Sequence, residues 1–250
     1  MMRISFTIAM LFALLLGTSS VSAQTVVVAS RTTACTLNPG STMADVVETA
    51  TNFEFAEDTA PAVVLMRSKI AATGGANSFG PEYDFLVTSY YPSYSALVER
   101  RGRFLQRQAG RNGLRGLAPF ATCSDNVVIS SVRFATPANP GAAIPPLTAA
   151  VTVGCALNGA TIDDAVAMYG AFAERVGASV GLVSSRSFGG PRRPFNSGVG
   201  YMINFPSFDD FGTAWDELQQ NPTAPDPDNP ISCSGASLWA QYLIHQTTAN

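Results

Sequence analysis

The chain has 250 residues, 46 % hydrophobic and only 13 % charged, with a formal net charge of −3. Ordinary soluble domains carry about 25 % charged residues, so a charge-driven disordered chain is excluded, and the acidic balance excludes the basic field of a nucleic-acid binder. A single Lys (Lys69) and a single His (His245) exclude a His-rich metal centre and argue against a His-based triad, and no metal or cofactor site is expected.

In chain order, Arg3 precedes an apolar run from Ile8 to Leu16 and a small-residue stretch ending Val21-Ser22-Ala23. This reads as a secretory signal over residues 1–23 with cleavage near Ala23. The run is shorter than the roughly 20 residues a membrane helix needs. An exported mature chain, periplasmic or extracellular and without a membrane span, is predicted. Its charge becomes −4, because the segment removes Arg3 and no acid.

The mature chain reads as two copies of one unit, residues 24–136 and 147–250, joined by a Pro-rich linker over 137–146. Cys35-Thr-Leu37-Asn38 with Thr42 and Asp45 matches Cys155-Ala-Leu157-Asn158 with Thr161 and Asp164. Tyr83 to Tyr94 matches Tyr201 to Phe208, each with a Pro-Ser step, and Cys123 and Cys233 each lead a closing apolar run. In each copy a β-branched strand opens (Thr25–Val28; Ala149–Val153). A helix follows behind the capping boxes Thr42-x-x-Asp45 and Thr161-x-x-Asp164, the second helix ending at Gly177. A second strand (Ala62–Met66; Val180–Val183) meets a glycine pair, Gly74-Gly75 or Gly189-Gly190. A third (Asp84–Tyr91; Val199–Phe205) breaks at Pro92-Ser93 or Pro206-Ser207, which cap a second helix. Tyr94, Leu97 and Phe104 share one side of that helix, as do Phe208, Phe211, Trp215 and Leu218. A last strand (Val127–Phe134; Leu238–Ile244) closes the unit.

The order β-α-β-β-α-β, twice, predicts an α+β fold of two ferredoxin-like repeats, their sheets packed face to face because helices leave one face of each uncovered. In that topology the first strand ends where the fourth begins, so Cys35 is expected to bridge Cys123 and Cys155 to bridge Cys233. The rival Cys35–Cys155 pairing needs both ends to meet in a two-fold-like interface. No Cys-x-x-Cys supports a redox role.

The doubled unit, with its strand-Pro-Ser-aromatic-helix passages Val87–Leu97 and Ile203–Phe211, resembles the tandem or dimeric α/β-barrel superfamily, which includes NIPSNAP-like, antibiotic-monooxygenase-like and stress-responsive α/β-barrel domains. The resemblance implies a fold and a cavity; it does not by itself imply chemistry. Haem-using relatives, the chlorite-dismutase-like proteins, rely on an axial His. His245 stands near the C-terminus and beyond the predicted last strand, which speaks against that role.

The residues offered for ligand binding are Tyr83, Tyr91, Asn204 and Trp215, with the guanidinium pair Arg192 and Arg193 for an acidic group. Tyr90 joins them in an oxygenase reading. Aromatics at strand and helix spacing are also what a core uses. The pairs Asp163-Asp164 and Asp209-Asp210 begin helices, where the helix dipole explains them. Arg100, Arg101, Arg103 and Arg107 read as a solvated helix face. No Gly-x-Ser-x-Gly occurs, and no catalytic residue is assigned. The expectation is an exported, disulfide-stapled, non-catalytic protein that binds a small apolar or aromatic ligand, or a protein partner, and neither nucleic acid nor membrane. The alternatives are a cofactor-independent oxygenase or isomerase acting between the sheets, and a purely structural envelope or secreted protein.

Overall fold

A computed structural model describes residues 27–71, 83–108, 116–136, 143–189, 197–222 and 228–247. Residues 1–23, expected from the sequence to be a signal segment, the glycines Gly74, Gly75 and Gly190, and Arg192 and Arg193 lie outside them.

The elements run β1 (Val27–Leu37), α1 (Met43–Thr51), β2 (Val63–Ala71), β3 (Phe85–Tyr91), α2 (Tyr94–Gln108), β4 (Ala121–Phe134), β5 (Leu147–Ala156), α3 (Ile162–Arg175), β6 (Val180–Phe188), β7 (Gly198–Phe205), α4 (Phe208–Gln220) and β8 (Ser232–Gln246). Both capping boxes form: Thr42 and Asp45 bond each other's backbone N–H at the start of α1, and Thr161 and Asp164 do so at α3. Those bonds hold both carboxyls below the usual aspartate value. Ser207 caps α4 through the Asp210 N–H.

The expectation of two sheets packed face to face is overturned. All eight strands form one closed antiparallel barrel in the order β1-β3-β2-β8-β5-β7-β6-β4. The physical reason lies at the sheet edges. A four-stranded sheet with β2 at one side would leave a row of unpaired N–H and C=O groups. Here β2 pairs with β8 from Val63–Gln246 to Ala71–Leu238, and β4 pairs with β6 from Ile129–Phe188 to Phe134–Leu182. The two joining strands are also long enough for this: β4 has 14 residues and β8 has 15, well beyond the apolar runs that mark them in the sequence. Closure turns the uncovered faces into one interior and leaves the helices outside.

The outer layer is the larger core. Under α3 and α4 it holds Val151, Tyr169, Ala173, Val183, Tyr201, Ile203 and Phe205; under α1 it holds Val46, Met66 and Phe85. Cys35 is bonded to Cys123 and Cys155 to Cys233, each pair directly opposite in its ladder with Cα atoms 4.0 Å apart. They close loops of 88 and 78 residues, worth about 4–5 kcal/mol each on a chain-entropy argument. The Tyr169 hydroxyl contacts both sulfurs of the second bridge, and its ring stacks on Tyr201 at 3.5 Å. Burial pushes its phenol up to about 12.

His245 is a second correction: it lies inside β8, not beyond it. A register shift at Val64/Leu65 turns it to the outside, where its ring packs tilted against Phe55, centroids 4.5 Å apart, with Nε2 buried and without a hydrogen-bond partner. Burial lowers its pKa, with a hydrogen bond to the Pro61 backbone opposing. Among the described residues no helix is long and apolar enough to cross a membrane.

Candidate functional site

Strand alternation decides which side chains enter the barrel. On β2 the inward set is Val63, Leu65, Arg67 and Lys69. The register places Leu65 opposite Thr88 of β3, and Arg67 opposite Gln241 of β8. From β1 come Val28, Ser30, Thr32 and Ala34; from β5, Thr148, Ala150 and Thr152; from β7, Met202 and Asn204. An apolar cluster of Ala34, Leu86, Val132, Ala150, Leu182, Met202 and Trp239, drawn from seven strands, lies at the middle.

Arg67 lies in that interior and is 7 % exposed. It is the one buried charged side chain among the described residues, and no carboxylate is buried with it. Nη2 donates to Thr88 Oγ1, which also meets Thr32 Oγ1 at 3.0 Å. Nη1 reaches across the barrel to Met202 Sδ at 3.1 Å. Nε has no partner. Beside it Gln241 Nε2 donates to Thr148 Oγ1 and Asn204 Oδ1, both at 3.1 Å, while Gln241 Oε1 is left without a partner. A guanidinium taken out of water ordinarily takes a carboxylate; this one has a hydroxyl and a thioether, and a thioether is a weak acceptor.

The two ends of the barrel differ. At the end carrying the disulfides, Lys69 Nζ donates to the Tyr83 carbonyl and sits 3.7 Å from the centre of the Tyr83 ring. That ring lies parallel to Trp239, whose Nε1 donates to Thr152 Oγ1 at 2.7 Å. At the opposite end Val28, Val63, Tyr90, Phe134, Val180 and Leu243 face inward and are all only half-buried, an apolar rim above the polar centre. Burial raises the phenols of Tyr83 and Tyr90, and the Arg67 charge pulls against it in both.

Of the residues offered from sequence, Tyr83, Tyr90 and Asn204 share this interior. Tyr91 does not: it lies on the outer face below α2, where Arg31 and Arg101 act on it. Trp215 packs against Phe211 outside the barrel, ring centroids 5.3 Å apart. Arg192 and Arg193 lie outside the described residues. On α2, Arg103 pairs with Glu99 and Arg107 with Asp58. A shallow groove between α3 and α4, lined by Arg175, Glu217 and Leu218 among others, holds no buried polar group aimed into it. Sequence reasoning missed Arg67 and Gln241. The signal was present: carrying the second strand past Met66 puts Arg67 and Lys69 on one face with Val63 and Leu65, and Gln241 alternates with Trp239 and Leu243.

No family model matches the chain, and no curated protein matches it. Among solved structures it is similar to an anthrone oxidase-like protein, at 14 % identity and TM-score 0.49 over 90 % of this chain and 94 % of that one. It is similar also to a provisionally named monooxygenase from Fusobacterium nucleatum subsp. nucleatum (12 %, 0.47, 89 % and 94 %). A third likeness is to a mutant chlorite dismutase from Candidatus Nitrospira defluvii (9 %, 0.44, 87 % and 92 %). At these identities and scores the likenesses carry no inference about activity.

Proposed function

We propose that this protein is a non-catalytic binder of a small ligand with an aromatic or apolar body, taken up through the half-buried apolar rim into the barrel. The observation that supports this most is the composition of the interior. An apolar and aromatic lining surrounds a few convergent polar groups, two of which keep a buried atom without a partner, the pattern of a small-molecule site. The buried polar groups are hydroxyls, amides and one guanidinium, which suit holding an oxygen more than moving a proton; this favours binding over an oxygenase or isomerase in the same space. Both disulfides suit an oxidising compartment, so the protein works after export.

The test is untargeted mass spectrometry of small molecules released by denaturing the natively purified, oxidised protein, alongside Val28→Trp, which narrows the rim. An aromatic or apolar compound recovered from the wild type and depleted in Val28→Trp is expected. Recovery of none across several preparations, or equal recovery from both proteins, counts against the proposal.

A further inference from the structure

We infer that Arg67 is an anion receptor inside the barrel, and that the ligand presents to it a carboxylate or another delocalised oxyanion. The inference rests on the binding reading above and names the chemical class of the ligand. Three observations converge on it. The chain as a whole is acidic, yet the barrel interior carries cations, Arg67 and Lys69 on one face of β2, and no buried carboxylate is described to balance them. The Arg67 head group is only partly satisfied: its neighbours are neutral, and Nε is buried without a partner. The apolar interior it shares includes Tyr83 towards one end and Tyr90 towards the other, so an aromatic acid would find apolar contact and charge in one place.

The planar guanidinium suits an oxyanion with two oxygens better than a single point charge would. Nε and an Nη form one such donor edge. Gln241 Oε1, next to it in the ladder, is an orphan acceptor and matches a ligand that also bears a donor, such as a hydroxyl or an amide N–H. Low local dielectric strengthens the anion contact and keeps it from being screened as a surface basic patch would be.

The test uses two fluorescent probes with the same aromatic body: 8-anilinonaphthalene-1-sulfonate, an anion, and N-phenyl-1-naphthylamine, which is neutral. The oxidised protein carries Trp215→Phe, so that energy transfer from Trp239, 3 % exposed in the interior, reports occupancy of the barrel. The anionic probe is expected to bind about tenfold or more tightly than the neutral one, the range of a charge-assisted hydrogen bond. The preference should persist in 0.5 M salt (on the order of a 4 Å screening length). Arg67→Met should remove it while leaving the neutral probe within about twofold. Equal affinity of the two probes, or an anion preference abolished by salt, overturns the receptor and leaves the binding reading standing. Failure of both probes to bind with energy transfer overturns the binding reading itself, and the receptor with it. Should Arg67→Met not fold, displacement of the neutral probe from the Arg67-bearing protein by 2-naphthoate against 2-naphthamide decides the matter: the acid must compete about tenfold better, and parity refutes the receptor.

Discussion

Replacing Arg67 by Met is expected to stabilise the ligand-free protein. The substitution keeps most of the side-chain volume and removes a charge held in the barrel at 7 % exposure without a carboxylate. Two contacts are lost. The hydrogen bond to Thr88 is charge-assisted and worth about 1.5–3 kcal/mol; the contact with the Met202 thioether contributes less. Against them stand the desolvation of the guanidinium, several kcal/mol even after relaxation, and the unpartnered Nε, about 1–3 kcal/mol. Thr88 is not orphaned, because Thr32 Oγ1 remains 3.0 Å away. The balance favours Met by about 1–3 kcal/mol, within the range seen when buried charges yield to apolar residues. For a chain of this size that raises Tm by about 2–4 °C per kcal/mol. Urea or thermal unfolding of oxidised protein, freed of small molecules by refolding and dialysis, measures it. A loss of stability of about 1 kcal/mol or more would refute the reasoning and make Arg67 a structural strut.

Glycine-to-alanine changes in two helices should have opposite signs. Gly170 of α3 is buried, and a Cβ there would stand 2.4 Å from the Ala135 carbonyl oxygen; Gly170→Ala should cost about 1–3 kcal/mol despite its helix propensity. A Cβ on Gly102 of α2 would meet nothing within 4 Å, so Gly102→Ala should gain about 0.4–1 kcal/mol in the same denaturation assay; gains at both positions would contradict the packing of α3 on the barrel. His245 should make stability acid-sensitive. Its pKa is lowered in the fold, so the unfolded chain binds its proton more readily, and stability falls as pH drops below the ordinary histidine value of about 6.5. The loss is complete once pH is below the folded value. His245→Phe should flatten that part of the stability-pH curve above the aspartate range, and an unchanged slope would show that the buried ring is not its source.

Much of the local order was legible because its causes are local. Thr42 and Asp45, or Thr161 and Asp164, are three residues apart, and a capping box needs nothing else. The Pro-Ser breaks, the helical stripes and the order of strands and helices follow from periods of a few residues. The disulfide partners followed from strand order once each unit was drawn as β-α-β-β-α-β. The interior was not legible in this way. Tyr83 and Asn204 do share it, but Tyr91 and Trp215, equally plausible by spacing, face the other side of the wall.

Sequence alone, then, determined the elements, their caps and their order, since each depends on neighbours along the chain. Tertiary structure alone decided that two half-sheets would share their edges and enclose a space, because that depends on backbone groups seeking partners dozens of residues away. The same distance hides the site: Arg67 meets Met202 across 135 residues of sequence, and only closure of the barrel brings a guanidinium, a thioether and an amide side chain into one interior.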